Sequence, residues 1–417
     1  MMRALFAGVS GLRNHQTRMD VIGNNIANVN TVGFKGQRVT FKEAFFQMLA
    51  GASRSQQDLG GLNPMQIGTG VNLGSIDTLF TQGSLETTGQ PLDLAIQGSA
   101  LFVLGDGSRQ YYTRAGDFQL DADGRMVSPS SGYVVQGILA DSAGNLSTTA
   151  AIGDIRIQLG QRSAAQQTST VTLLGNLDDG AAVGDTHSMG ITVYDPAGGS
   201  HQLRMLFTKT GAGAWSWTAT LDGTAVPATT PGTVTFNPDG TLASFTYPDG
   251  GAALSLTTAG GTTFDVAVDA GTVGGIDGLA GFANASNAVV SAQDGYQAGD
   301  LVNISVDARG VITGYFSNGV TRSLAQIALA TFSNPGGLVR NGANNYSESS
   351  NSGAAVIGFA GGTTSSTLTP GTLEASNVDI SQEFTDMIIA QRGYQANARV
   401  ISTADEMLNE LVNLRRG

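Results

Sequence analysis

Residues 380–415 read ISQEFTDMIIAQRGYQANARVISTADEMLNELVNLR, and their spacing decides the fold. Ile380, Met387, Tyr394, Ile401 and Leu408 recur at every seventh position, all apolar. The set four residues on, Phe384, Gln391, Ala398, Asp405 and Val412, is apolar only in part. One sustained seam of this kind predicts a coiled-coil strip rather than a helix of an ordinary core.

The other end of the chain answers it. Leu5, Leu12, Met19 and Ile26 also recur every seven residues, with Val9, Ile22 and Val29 beside them. This first helix, expected over 2–29, is poor in isolation. Gly8, Gly11 and Gly23 each cost about 1 kcal/mol relative to alanine. Asn24, Asn25 and Asn28 compete for backbone hydrogen bonds. Such a helix forms on packing, and its small residues admit a close neighbour. Gly33 is read as its left-handed cap residue.

Opposite charge at the two ends would favour their pairing by tenths of a kcal/mol per exposed pair, and ordinary solvated helix faces account for it equally. Arg3, Arg13, Arg18, Lys35, Arg38 and Lys42 face only Asp20 and Glu43 within residues 1–50, whereas residues 373–417 are acidic on balance. The whole chain carries a net charge of −12, so a nucleic-acid partner lacks its basic field. There is no cysteine, hence no disulfide or thiolate metal site. No apolar run reaches the ~18 residues of a membrane span. The segment after Arg3 is interrupted by Gly8, Gly11 and Arg13, so it lacks the core of a cleaved signal peptide.

Between the termini, glycine is abundant and dispersed, and charged residues are 13% of the chain, about half the usual share. Asp-Gly and Pro-Gly turns between short β-branched runs predict many-stranded β structure. Residues 36–84 are polar and Gly/Gln-rich, with few strands expected and Phe41, Phe45 and Phe46 as apolar anchors. A strand is read at 100–104, and a hairpin turn at Asp121-Ala122-Asp123-Gly124. Further strands are read at 171–174, 190–194, 202–209, 215–221, 233–237 and 242–247. Their spacing predicts a sandwich or barrel.

Chemistry is scarce. His15, His187 and His201 lie in three different regions, and His15 has no carboxylate at i±4 for zinc. Asp121, Asp123 and Gly124 open like a calcium loop, but the closing Glu is missing and strands flank it. There is no Gly-x-Ser-x-Gly elbow before a helix and no phosphate-binding Gly-Lys-Ser/Thr. Trp215 and Trp217 share one face of a strand, which reads as core packing before a sugar platform. No enzyme and no cofactor are expected.

Both ends carry motifs that resemble the bacterial flagellar rod and hook family. The first runs Asn24-Asn25-Ile26-Ala27-Asn28-Val29-Asn30-Thr31-Val32-Gly33-Phe34-Lys35. The second is Glu374-Ala375-Ser376-Asn377-Val378-Asp379, followed by Gln391-Arg392-Gly393-Tyr394-Gln395-Ala396-Asn397-Ala398. Tyr112-Thr113-Arg114-Ala115-Gly116-Asp117-Phe118 is similar to the family's inner β domain. Ile191-Thr192-Val193-Tyr194-Asp195 and Gly199-Ser200-His201 resemble the outer domain of hook proteins.

The resemblance implies a multidomain chain in a nested insertion layout. A discontinuous α-helical coiled-coil terminal domain (1–30 with 373–417) is followed inward by a connecting segment (31–85). Then come mainly antiparallel β domains, an inner one (86–150 with 291–372) and an outer one (151–290). It implies a structural hook subunit that polymerises into a flexible tube transmitting torque. Leu5, Leu12, Met19 and Ile26 against Phe384, Met387, Tyr394, Ile401 and Leu408 are the expected polymerisation seam. Asn24, Asn25, Ala27, Asn28, Gly33, Phe34 and Lys35 are the family signature. Implied partners are other copies, a hook-cap protein, a distal rod protein, hook-filament junction proteins and the flagellar type III export apparatus. The implied place is the extracellular flagellar hook, reached without a cleaved signal peptide or membrane insertion. The rivals are a distal rod protein, disfavoured by the 151–290 insertion, and a β-rich adhesin or glycan-binding protein, which leaves the terminal helices unexplained.

Overall fold

The computed structural model describes residues 2–54, 60–141, 144–147, 150–158, 160, 162–362 and 364–414. Arg415, the last residue of the expected helix, and the side chain of Val412 lie outside the described part. Two compact units result. One comprises Met1–Gln158, Ile304–Gly314 and Arg322–Gly417, the other Leu159–Asn303 and Tyr315–Thr321.

In the first unit, α1 (Met2–Ala27) and α2 (Ile380–Leu414) pack antiparallel. The direction follows from contacts running oppositely along them: Gly8 on Ile401, Gly11 on Asn397, His15 on Gly393, and Arg18 on Asp386 at 3.0 Å. Asp379 starts α2 as an N-cap, its carboxylate accepting the amides of Ser381 (2.8 Å) and Gln382 (3.2 Å). The turn after α1 departs from expectation. Gly33 is left-handed (φ +66°), but it lies six residues beyond Ala27 and shapes the following turn rather than capping the helix.

Residues 36–84 also differ from the sparse segment expected. β1 (Gln37–Glu43) pairs antiparallel with β4 (Val71–Thr78), and β2 (Phe46–Ala50) with β3 (Met65–Gly68), making one long two-stranded arm. All of β2 and β3 is exposed. Its strands do alternate apolar and polar residues, as in Phe46-Gln47-Met48, Met65-Gln66-Ile67 and Val71-Asn72-Leu73, a period that the surrounding Gly and Gln residues mask in the sequence. Backbone pairing is what makes it regular.

The β body of this unit is built on Leu101–Gly105. It pairs antiparallel with Gln110–Thr113, Val134–Leu139 and Leu329–Thr331. Leu101, Val103, Tyr112, Ala328, Ala330 and Tyr346 form its core. Asp121 accepts the Arg125 side chain (2.8 Å) and the Asp123 and Arg125 amides, so its carboxylate is engaged in the turn itself.

The second unit is a sandwich. One sheet orders Thr186–Tyr194, Ser200–Gly211, Ala214–Leu221, Gly232–Phe236 and Leu242–Thr246, close to the strands read from sequence. The facing sheet joins Thr170–Asn176 to Thr263–Asp269 in parallel and adds Leu254–Thr257, and neither of those two partners was read from sequence. A single core holds Val171 and Leu173 of one sheet with Val193 and Phe207 of the other. Trp215 and Trp217 are in that core, and the Trp217 indole donates to the Thr246 carbonyl (3.0 Å). A sugar platform needs exposed rings, and these two have none.

Candidate functional site

The helix pair is held by small residues. A Cβ on Gly11 would lie 2.7 Å from the Asn397 side chain, and one on Gly393 only 2.5 Å from the His15 ring. A larger residue at either place must displace the Asn397 amide or the His15 ring. Ala390 and Ala404 are buried on the same side of α2. This corrects the companion set read from the heptads. The face toward α1 continues through residues three on from the seam, Glu383, Ala390, Asn397 and Ala404, rather than four on. The outcome for the seam residues is mixed. Leu5, Leu12, Met19, Ile26, Met387, Ile401 and Leu408 are half-buried, whereas Phe384 and Tyr394 are exposed on the outer side.

Polar residues fix the register. Asn25 is buried, donating to the Gln37 carbonyl (2.8 Å) and the Glu383 carboxylate (2.9 Å) while accepting the Gln37 amide (3.0 Å). It ties α1, α2 and the start of the arm with one side chain. Burial pushes the Glu383 carboxyl up from its ordinary range, with the Asn25 amide opposing. Asn14 donates to the Val71 carbonyl of the arm (2.8 Å). His15 lies edge-on to Phe41, and burial lowers its pKa, with Arg18 adding to the shift. No group of three His, Asp or Glu that could hold a metal occurs among the described residues.

The signature residues build a turn and its anchor. Asn28 donates to the Asn24 carbonyl (2.9 Å) and accepts the Thr31 hydroxyl (3.1 Å), while Ala27 is exposed. The Gly33 amide donates to the Glu374 carbonyl (2.8 Å). A Cβ there would stand 2.5 Å from the Ala115 nitrogen, so the position excludes side chains twice over. Phe34 is buried under the Arg340 guanidinium, 4.8 Å from its ring centre.

Lys35 leads to a site that sequence reasoning missed. Its ammonium donates to Glu374 Oε1 (2.7 Å) and the Thr81 carbonyl (2.6 Å). Arg114 Nε donates to Glu374 Oε2 (2.6 Å), and the Gly83 amide also reaches Oε1 (2.8 Å). Lys35, Glu374 and Arg114 are 1%, 0% and 4% exposed. Two cations thus share one buried carboxylate. The rest of the guanidinium donates to the carbonyls of Ala100, Ile96 (3.1 Å) and Gly98 (2.6 Å), whose dipoles offset the second positive charge. Burial lowers the Lys35 pKa and Glu374 opposes that shift. The triad binds the end of the N-terminal segment, the start of the C-terminal segment and the β body at one point. Each member sat in a quoted motif, but no local pattern pairs residues so far apart in sequence.

In the second unit, His201 bridges two turns, its Nδ1 2.7 Å from Asp222 and its Nε2 3.4 Å from Asp195. The Asp222 hydrogen bond raises the His201 pKa above 6.5, and His201 lowers that of Asp222 below 3.8. The signs set a window. A raised histidine stabilises the fold below pH 6.5 and loses that contribution as pH climbs through its folded value. The lowered aspartate contributes above 3.8 and loses it as pH falls through its own. Both tryptophans lie in this unit, so their fluorescence reports its unfolding alone. Its denaturation midpoint is expected to fall between pH 6 and pH 9, and His201→Gln should flatten that fall. An unchanged slope in the variant would exclude the clamp.

Comparisons with known proteins follow this geometry. Residues 5–35 match the flagella basal body rod protein family, 95–174 the flagellar hook protein FlgE/F/G D1 domain, and 163–296 the flagellar basal body protein FlaE D2 domain. Residues 369–414 match the flagellar basal body rod FlgEFG protein C-terminal family. The flagellar hook protein FlgE of Borreliella burgdorferi is 40% identical, and that of Treponema pallidum 41%, each over the full length of both chains. The flagellar basal-body rod protein FlgG of Bacillus subtilis is 31% identical, also over both full lengths. In fold, the chain is similar to the crystal structure of Helicobacter pylori flagellar hook protein FlgE2, with a TM-score of 0.54 at 15% identity, covering 70% of this chain and all of that one. Matches at both termini, at the inner and outer β regions and across the whole length place this chain in the bacterial flagellar hook and rod protein family.

Proposed function

We propose that this chain is a structural subunit of the bacterial flagellar hook, a polymer of its own copies that bends while passing motor torque to the filament. The observation that carries this is full-length likeness, at 40% identity and more, to two proteins named as hook subunits. The helix pair supports the assembly reading. Its inner face is closed by small residues, yet Phe6, Phe384, Ile388 and Ile389 remain exposed, an apolar surface a soluble monomer has no use for.

Torque needs a stiff path from the helices to the outer domains, and the Lys35–Glu374–Arg114 triad is suited to that role. The segments leaving both helices meet there in a desolvated, geometrically fixed joint. The seam residues named above assemble the polymer, and the signature residues from Asn24 to Lys35 shape and anchor its joint. The finer partners are a hook-cap protein during growth, a distal rod protein below, junction proteins above and the type III apparatus for export. The place is the hook outside the cell, reached without a cleaved signal peptide. No helix among the described residues is long and apolar enough to cross a membrane.

A rod position is the second reading. The size of the outer insertion does not by itself exclude it, because a protein named as rod FlgG matches the chain over its whole length. Higher identity to the hook proteins favours the hook. Negative-stain microscopy of the full chain under salting-out conditions tests self-assembly. Regular tubes are expected, and amorphous precipitate or persistent monomer would count against the reading.

A further inference from the structure

The chain holds two Asn-Gly pairs, Asn318-Gly319 and Asn341-Gly342, and the fold treats them in opposite ways. Asn318 is locked. Its side-chain amide donates to the Gln297 carbonyl (2.8 Å), its side-chain oxygen accepts the Val320 amide (3.1 Å), and the Gly319 amide donates to the Phe316 carbonyl (3.0 Å). Asn341 is exposed in the hairpin turn between Val339–Arg340 and Asn345–Ser347. Ala343 and Asn344 of that turn are both left-handed (φ +48° and +55°), as in a type I′ turn. Only the Asn341 backbone is held, its amide donating to the Asn345 carbonyl (2.9 Å). Neither the Asn341 side chain nor the Gly342 amide makes a hydrogen bond among the described residues.

We propose that Asn341 is a site of spontaneous modification, its side-chain amide attacked by the Gly342 backbone nitrogen. The new bond joins that nitrogen to the Asn341 Cγ, the Cγ–Nδ2 bond breaks, and ammonia leaves with the proton of the Gly342 amide, closing a succinimide ring. Water then opens the ring at either carbonyl, giving aspartate or, with the chain rerouted through Cγ, isoaspartate. No enzyme, oxidant or cofactor takes part. Glycine is the follower that allows it, because a side chain there would crowd the approach. The attack requires a free asparagine amide and a free following nitrogen. Both conditions hold at Asn341 and both fail at Asn318. The same turn anchors the signature segment. Arg340, the preceding residue, covers the Phe34 ring and donates to the Lys35 carbonyl (3.0 Å), and Asn344 donates to the Val32 carbonyl (2.8 Å). Conversion adds a negative charge beside Arg340, and the isoaspartate form adds a backbone methylene to the turn that makes these contacts.

The test is to hold the full chain in warm, mildly alkaline buffer, once folded and once in urea. Its peptides are followed by mass spectrometry with fragmentation that separates aspartate from isoaspartate. In the folded chain the peptide carrying Asn341 is expected to convert at least about tenfold faster than the one carrying Asn318, because reaction at Asn318 must first break three hydrogen bonds. In urea the two rates should approach each other, since the fold and not the shared dipeptide sets the difference. Asn341→Gln should leave the first peptide unconverted, because attack on the longer side chain needs a larger ring. Comparable rates at the two sites in the folded chain, or an Asn341 that keeps its amide there, would overturn the proposal. A gap that persists undiminished in urea would assign the difference to neighbouring sequence and overturn it as well.

Discussion

Replacing Ile401 with Asp is expected to abolish polymerisation while leaving both β units folded. Ile401 packs against α1 where Gly8 leaves room for it, its Cγ1 3.2 Å from the place a Gly8 Cβ would take. Ile401 is half-buried, so losing its packing costs about 1–2 kcal/mol, and a carboxylate turned into the same contact adds a desolvation cost. α1 has little reserve to absorb that loss, because three glycines each take about 1 kcal/mol from its intrinsic stability. The pair should therefore open, and the surface built on it should be lost. Neither β core includes Ile401. Tryptophan fluorescence should match the parent chain, and microscopy should show no tubes. Ordinary tubes from the Asp variant would sink the seam assignment.

The second large effect concerns Glu374. Glu374→Gln keeps the shape of the side chain and removes the only anion within reach of Lys35 and Arg114 among the described residues. Breaking a buried ion pair from one side costs about 3–5 kcal/mol, because the remaining charge stays desolvated. Here two cations are left facing an amide. For a unit of this size, calorimetry should place its unfolding transition roughly 6–20 °C lower, at about 2–4 °C per kcal/mol. The tryptophan-reported transition of the other unit should stay where it was. Lys35→Met should cost less, since Arg114 still neutralises the carboxylate. A Glu374→Gln transition within a degree of the parent would show that the triad does not hold the joint.

Much of this architecture was legible in the sequence for a simple reason. Heptads and strand alternation record which side of an element is buried, and Leu5 to Ile26 or Met205 to Trp217 had a buried side to record. The arm alternates too, but the Gly and Gln residues around it mask the period. Phe46 to Ala50 forms a strand through backbone pairing with Met65 to Gly68, and its side chains all face solvent. The three-residue companion set of α2 escaped for another reason. Ala390, Asn397 and Ala404 are small or polar, and apolar periodicity does not mark residues whose contribution is to let a neighbour come close. Trp215 and Trp217 were read as core, and they are. Lys35, Arg114 and Glu374 were each quoted within a motif, but nothing local joins a lysine near one end to a glutamate near the other. The fold brings them together, and burial then makes their charges matter.

Amide hydrogen exchange on the full chain, as monomer and as salted-out polymer, tests the central claim most directly. If copies assemble through the paired termini, amides of α1 and α2 should gain protection by more than tenfold on polymerisation. Amides in the sandwich core, already protected in the monomer, should change little. Protection gained only in the sandwich, with both helices exchanging as in the monomer, would contradict assembly through the ends of the chain.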